Sequence, residues 1–167
     1  PQAGLVVGKK RWIDRLKQNP LYRVLRIDKI IVAALEQTLR HYVCNEAFTQ
    51  IPFLKMLTCP LDELEAQAVR LQKSLAPFSS VKIERVTSKI GGGTFPNLTI
   101  PSVALSIALP KERLRWVETC LRNPQDANDI PILARIHHQR LWLDLRTIQP
   151  SELPMVEHRL RSILLSA

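Results

Sequence analysis

From residue 28 onward the chain is written in two hydrophobic periods. Ile31, Ala34, Leu35, Leu39 and Tyr42 recur at intervals of three and four, which predicts a long helix to about Val43 with Asp28 as its N-cap. Pro60 opens a second helix, with Asp62 and Glu63 in its first turn. Leu61, Leu64, Ala68, Leu71 and Leu75 form its apolar stripe, and Pro77 ends it. From residue 80 the period drops to two. Val81 and Ile83 begin a strand, and Val103, Leu105, Ile107 and Leu109 alternate. So do Ile132, Ala134 and Ile136, and, across a tight turn at His137–Arg140, Leu141, Leu143 and Leu145. Helices over residues 111–122 and from Ser151 to about Leu165 complete the order β-β-α-β-β-α. That order predicts an α+β unit over residues 80–167, an antiparallel-dominated sheet with its helices on one face.

The first 79 residues read differently. Leu5-Val6-Val7 between two glycines resembles a short buried strand, and a basic amphipathic helix follows near residues 9–18. Asn19-Pro20 supplies an N-cap and a first-turn proline for a short helical turn carrying Arg23 and Arg26. Residues 51–57 predict another short helix. The chain therefore divides into a mainly helical part, residues 1–79, and the α+β part, with the join near Pro77–Ser80.

Composition limits the options without choosing among them. A chain of 167 residues with 46% hydrophobic content can bury a core. No apolar run approaches the roughly 20 residues of a membrane helix. Cys44, Cys59 and Cys120 are far apart and fit neither a zinc site nor a disulfide framework, which points to free thiols in a reducing cytosol. The net charge of +9 favours polyanions, but it is distributed over Lys9–Lys10–Arg11, Arg23–Arg26–Lys29, Arg113–Arg115 and Arg159–Arg161.

Four constellations carry candidate chemistry. Arg23 and Arg26 stand three apart among Leu21, Leu25 and Ile27, so one helical turn would bring two guanidinium forks to one side. Such a pair can grip a phosphate by charge-assisted bidentate bonds, or it can merely solvate a helix edge. Gly91-Gly92-Gly93 is either a turn between strands or a close approach of backbone to a ligand; it matches no dinucleotide or P-loop pattern. His137 and His138, as neighbours on a strand end, point to opposite faces and do not chelate a metal. Asp144 in "LWLDLR" shares a strand face with Trp142 and Arg146, which predicts a structural ion pair.

The segments "PQAGLVVGKK", "NPLYRVLRIDK", "IGGGTFPNLTIPS" and "RLWLDLRT" occur in this order over nearly the whole chain. Together they resemble the C-terminal part of bacterial L-seryl-tRNA(Sec) selenium transferases. The resemblance implies a fragment of an α/β pyridoxal 5′-phosphate (PLP)-dependent transferase fold of type I. Residues 1–79 would be the end of the PLP-binding large domain with its connecting helices, and residues 80–167 the C-terminal small domain. In that family the lysine that holds PLP directly precedes Pro-Gln-Ala-Gly, so it would lie upstream of Pro1. Lys9 and Lys10 do not match it, and no catalytic residue and no metal site are expected in this chain. The implied reaction replaces the hydroxyl of a seryl group on tRNA(Sec) with selenium from selenophosphate. Arg23 and Arg26 match the family's anion-binding arginines, and Gly91, Gly92 and Gly93 would sit near the domain cleft. The resemblance further implies a cytoplasmic homo-oligomer built from dimers, with no membrane partner. It leaves two other readings open: a related PLP-dependent lyase acting on a small amino acid or sugar acid, and a non-catalytic RNA-binding fragment. One departure stands out: where the family often has Asp-Gly before "RLWLDLR", this chain has His138-Gln139, and the hairpin loses its glycine.

Overall fold

The computed structural model of the chain describes residues 1–90, 97–124 and 129–166. Their contacts cluster into two units, Pro1–Lys55 and Met56–Ala167.

Local signals determine the helices of the first unit. Helix α1 spans Lys10–Gln18 and α2 is the single turn Leu21–Val24, whose entry is fixed by the Asn19 side chain accepting from the Leu21 N–H at 3.0 Å. Helix α3, Lys29–Val43, starts where expected. The Asp28 carboxylate accepts from the N–H groups of Ile30 and Ile31 at 2.7 and 3.0 Å. It stops in a Schellman motif: Asn45 takes the left-handed conformation (φ 58°), and Glu46 N–H reaches back to His41 O at 2.8 Å. The single turn α4, Ala47–Gln50, follows, then α5, Pro52–Thr58, which crosses from one unit to the next. Residues 4–8 do not form the expected strand. They have no regular structure and no partner strand among the described residues, and Val7 is 95% exposed. Among the described residues Ala47 is the only fully buried hydrophobic residue of this unit; Ile13, Ile27, Ile31 and Leu35 are half-buried, and many other apolar side chains are exposed.

The second unit has a real core. Helix α6 (Leu61–Leu75) precedes β1 (Val81–Lys89) and β2 (Thr99–Ala108); α7 (Lys111–Arg122), β3 (Arg135–His137) and β4 (Arg140–Asp144) follow. A 3-10 turn at Leu145–Thr147 leads to α8 (Leu153–Ser166). The four strands form one antiparallel sheet in the order β1-β2-β4-β3. Cross-strand rows such as Ile83, Leu105 and Leu143, and Val81, Ile107 and Leu141, point to one face. All three long helices lay their stripes on that face: Leu64, Ala68, Leu71 and Leu75 of α6, Leu114, Val117 and Leu121 of α7, and Val156, Leu160 and Leu164 of α8. The one-sided α+β arrangement is thus the one the periodicity predicts. Helix α6 joins the sheet through these contacts, and the contact boundary lies at Lys55/Met56.

The expected strand over Ile132–Ile136 is shorter than its alternation implies. Only residues 135–137 pair with β4, whereas Ile132 and Ala134 enter the core as irregular chain. Ile132 N–H is bound to Leu121 O at the end of α7 (2.9 Å), so burial gave the alternation and a helix end took the hydrogen bond.

The turn between β3 and β4 keeps its geometry without glycine. His138 and Gln139 both adopt positive φ, 46° and 56°, as a two-residue primed turn requires. Each side chain there is held in a region that costs an L-residue about 1–2 kcal/mol. The break in alternation also turns the two imidazoles together, with centroids 3.9 Å apart, instead of to opposite faces. Gln139→Gly is expected to raise stability by about 0.5–1 kcal/mol. The measurement is the urea midpoint, with an unchanged denaturant slope; a lower midpoint would contradict the strain argument.

Candidate functional site

Arg23 lies in α2, while Arg26 lies two residues past its end, because the turn closes at Leu25 (φ −85°, ψ 3°). The predicted helical turn therefore holds only the first of the pair. Both side chains are exposed, and neither has a hydrogen-bond or ion-pair partner among the described residues. Their apolar neighbours are open as well: Leu21, Val24 and Leu25 are more than half exposed. The nearest carboxylate in sequence, Asp28, is occupied by the first N–H groups of α3. What the structure presents is two uncompensated cations on one short, otherwise apolar stretch. Such an arrangement can take up an anion but does not enclose one. Gly91, Gly92 and Gly93 lie outside the described residues.

The other candidates resolve into structure. Asp144 does not pair with Arg146. Its carboxylate accepts from the hydroxyls of Ser88 and Ser102 (2.6 Å for Ser102), caps the 3-10 turn through Arg146 N–H at 3.1 Å, and lies 3.9 Å from the Arg135 guanidinium. The strand ends at Asp144, and the turn then swings the Arg146 side chain away from the strand face. The guanidinium instead donates to backbone carbonyls: Pro101 from Nε and Nη2, and Met56, Leu57 and Cys59 from Nη1. A second buried arginine, Arg159, does the same at the end of α7, donating to Cys120 O and Ile130 O and pairing with Asp129 at 3.2 Å. Sequence reading missed both, although an arginine just after a terminating alternation is a usable signal for the first. Among the described residues no group of His, Cys, Asp and Glu is arranged to hold a metal. A cleft of about 270 Å³ is lined mainly by apolar residues, among them Ile130, Leu133, Ile148 and Met155, and Glu152 on its wall accepts from Gln149 N–H.

The thiols differ. Cys44 is exposed, whereas partial burial, and then the neighbouring Glu63 carboxylate, push the Cys59 thiol above the usual cysteine range. Removing Arg146 strands the carbonyls of Met56, Leu57, Cys59 and Pro101 in a site it now fills. Arg146→Met is expected to cost about 2–4 kcal/mol, read from urea unfolding. Iodoacetamide at pH 8 should label Cys44 before Cys59, with mass spectrometry giving the order; equal rates would contradict the burial of Cys59.

With this geometry in place, comparison with known proteins is decisive at the family level. A sequence profile described as L-seryl-tRNA selenium transferase matches residues 1–149. An L-seryl-tRNA(Sec) selenium transferase of Pasteurella multocida is 44% identical over 151 residues, 87% of this chain and 32% of its own length. That of Nitratidesulfovibrio vulgaris is 39% identical over 169 aligned positions, 98% of this chain and 35% of its own. That of Haemophilus ducreyi is 41% identical over 154 residues. The chain belongs to the L-seryl-tRNA selenium transferase family, and it spans about a third of the length of the curated relatives it matches.

Proposed function

We propose that this chain is the C-terminal third of a PLP-dependent selenium transferase that converts seryl-tRNA(Sec) to selenocysteyl-tRNA(Sec) with selenophosphate as donor. The observation that carries the reading is the family match over residues 1–149, which takes in the "NPLYRVLRIDK" stretch with Arg23 and Arg26. PLP would supply electron withdrawal from the seryl α-carbon when bound. Lys9 and Lys10 do not fit that cofactor: Lys9 precedes α1 at its exposed N-cap, and Lys10 is exposed and engaged with Asp14 at 2.6 Å. No step through PLP is therefore assigned to these residues, and the cofactor lysine is expected upstream of Pro1 in a fold-type-I large domain.

What this chain contributes is an anion grip. Among the described residues Arg23 and Arg26 have no partner to displace, so a phosphate-like donor would meet two free forks and lose no competing ion pair there. Exposed in this chain alone, they would be worth little; enclosed by the remainder of the enzyme, each bond would strengthen. The glycines at 91–93 are proposed to border the domain cleft. A cytoplasmic homo-oligomer built from dimers fits a substrate carried on tRNA. Among the described residues no helix is long and apolar enough to cross a membrane.

The test uses the longer protein that contains this chain, supplied with seryl-tRNA(Sec) and selenophosphate. Selenocysteyl-tRNA is the expected product, and its absence from a folded, PLP-loaded preparation overturns the reading. In the same protein, Arg23→Ala and Arg26→Ala should each cost about 1.5–3 kcal/mol in use of the donor, roughly ten- to hundredfold. Binding of seryl-tRNA should change much less. Normal donor saturation in both variants would remove the anion-site assignment.

A further inference from the structure

Positive charge is concentrated where the core is absent. Residues 1–30 hold eight Lys or Arg against two Asp, and so carry six of the nine net charges of the chain. Five of the eight lie on or beside α1: Lys9, Lys10, Arg11, Arg15 and Lys17. Among the described residues only Lys10 of these is in an ion pair, with Asp14. No residue of α1 is buried. At its middle the Trp12 ring, half exposed, takes the Arg11 guanidinium at 5.0 Å and the Arg15 guanidinium at 5.5 Å. An indole held this way pre-positions two planar cations on one helix and keeps a ring edge in solvent.

We propose that α1 is a docking surface for RNA, with Arg11, Arg15 and Lys17 neutralising backbone phosphates and Trp12 holding the two arginines in place. The charge complementarity commits the surface to a polyanion. Among polyanionic partners, a lipid surface fits less well. An interfacial helix buries a broad apolar face, and α1 offers only Trp12, Ile13 and Leu16, of which Ile13 is already half-buried. The carboxylates that would mask the charge are few, since Asp14 is taken by Lys10 and Asp28 caps α3. The identity of the RNA as tRNA rests on the function proposed above; the location of the surface does not.

The experiment measures binding of a fluorescently labelled, unacylated tRNA transcript to the full 167-residue chain across a salt series. Arg11→Gln/Arg15→Gln/Lys17→Gln should weaken binding by about tenfold or more at 0.1 M salt and reduce the salt slope by about 2. Glutamine preserves helix propensity, and none of these side chains is buried, so the fold is retained; circular dichroism checks this. The control removes three equally exposed charges from α7, Lys111→Gln/Arg113→Gln/Arg115→Gln, and should leave the slope nearly unchanged. An unaltered slope in the α1 variant, or an equal loss in the α7 variant, overturns the proposal. So does α1-dependent binding to phosphatidylglycerol vesicles without binding to the transcript. The transferase reading fails separately: a longer protein that binds tRNA through α1 but yields no selenocysteyl-tRNA sinks that reading alone.

Discussion

The Arg146 guanidinium lies under the end of β4 with 6% of its residue surface exposed, and it makes five hydrogen bonds to backbone carbonyls. Two go to Pro101 in β2, and three to the stretch from Met56 to Cys59 at the end of α5. Burying a cation costs several kcal/mol unless its donors are all used. Here the carbonyls that a helix leaves unsatisfied at its C-terminus supply partial negative charge in place of a carboxylate. A lysine in this position has one compact donor group and cannot span carbonyls in two directions. The planar fork therefore ties the entry of the second unit to the middle of its sheet. Arg159 repeats the solution at the end of α7, with Asp129 adding the carboxylate that Arg146 does without. The layer of helices is thus fastened at two helix ends by cations, not only by apolar contact.

The two units solve the problem of order differently. In the second, three stripes meet one sheet face, and Leu105, Leu141 and Leu160 are fully buried. In the first, the helices are defined by Asn19, Asp28 and the Asn45 C-cap, while Trp12, Leu16, Leu39 and Tyr42 remain near half exposed. Caps and turns are local and contribute about 1 kcal/mol each, whereas most helical stability comes from burying a face. The stripe of Ile31, Leu35 and Leu39 is covered only in part: Ile31 and Leu35 are half-buried and Leu39 is exposed. Membership of a family whose curated relatives are about three times as long agrees with that imbalance.

How much of this was legible depends on how far apart the interacting residues are. Helices α3 and α6 could be read to within a residue or two because Asp28 and Pro60 mark their starts locally. The one-sided sheet could be read because Val103, Leu105 and Ile107 must share a face. Strand β3 was over-read, since alternation at Ile132 and Ala134 reports burial and is silent on which group takes the backbone hydrogen bond. Leu5-Val6-Val7 was over-read for the same reason: apolar composition without a partner strand makes no ladder. Arg146 was misassigned to Asp144 because the strand period was carried one turn too far. Arg23 and Arg26 became a candidate site through their spacing of three, and the resemblance added the anion-binding role; the backbone leaves the helix between them, so the spacing over-read the turn.

The distribution of charge follows from the same division. Where arginine is structural, as at Arg146 and Arg159, its donors are consumed by carbonyls and its charge is withdrawn from the surface. Where it lies in the first unit, at Arg11, Arg15, Arg23 and Arg26, it stays in solvent, and the local carboxylates are spent on Lys10 and on the start of α3. Like charges kept this close repel, weakly in water and more strongly wherever solvent is excluded. Enclosing them therefore raises the cost of leaving them unpaired and the gain from an arriving phosphate together. On the anion-binding reading proposed above, such a surface would hold its cations ready at little cost while open and become selective for anions only when covered. Leu21, Val24 and Leu25, exposed beside Arg23 and Arg26, are the apolar residues that such a cover would bury.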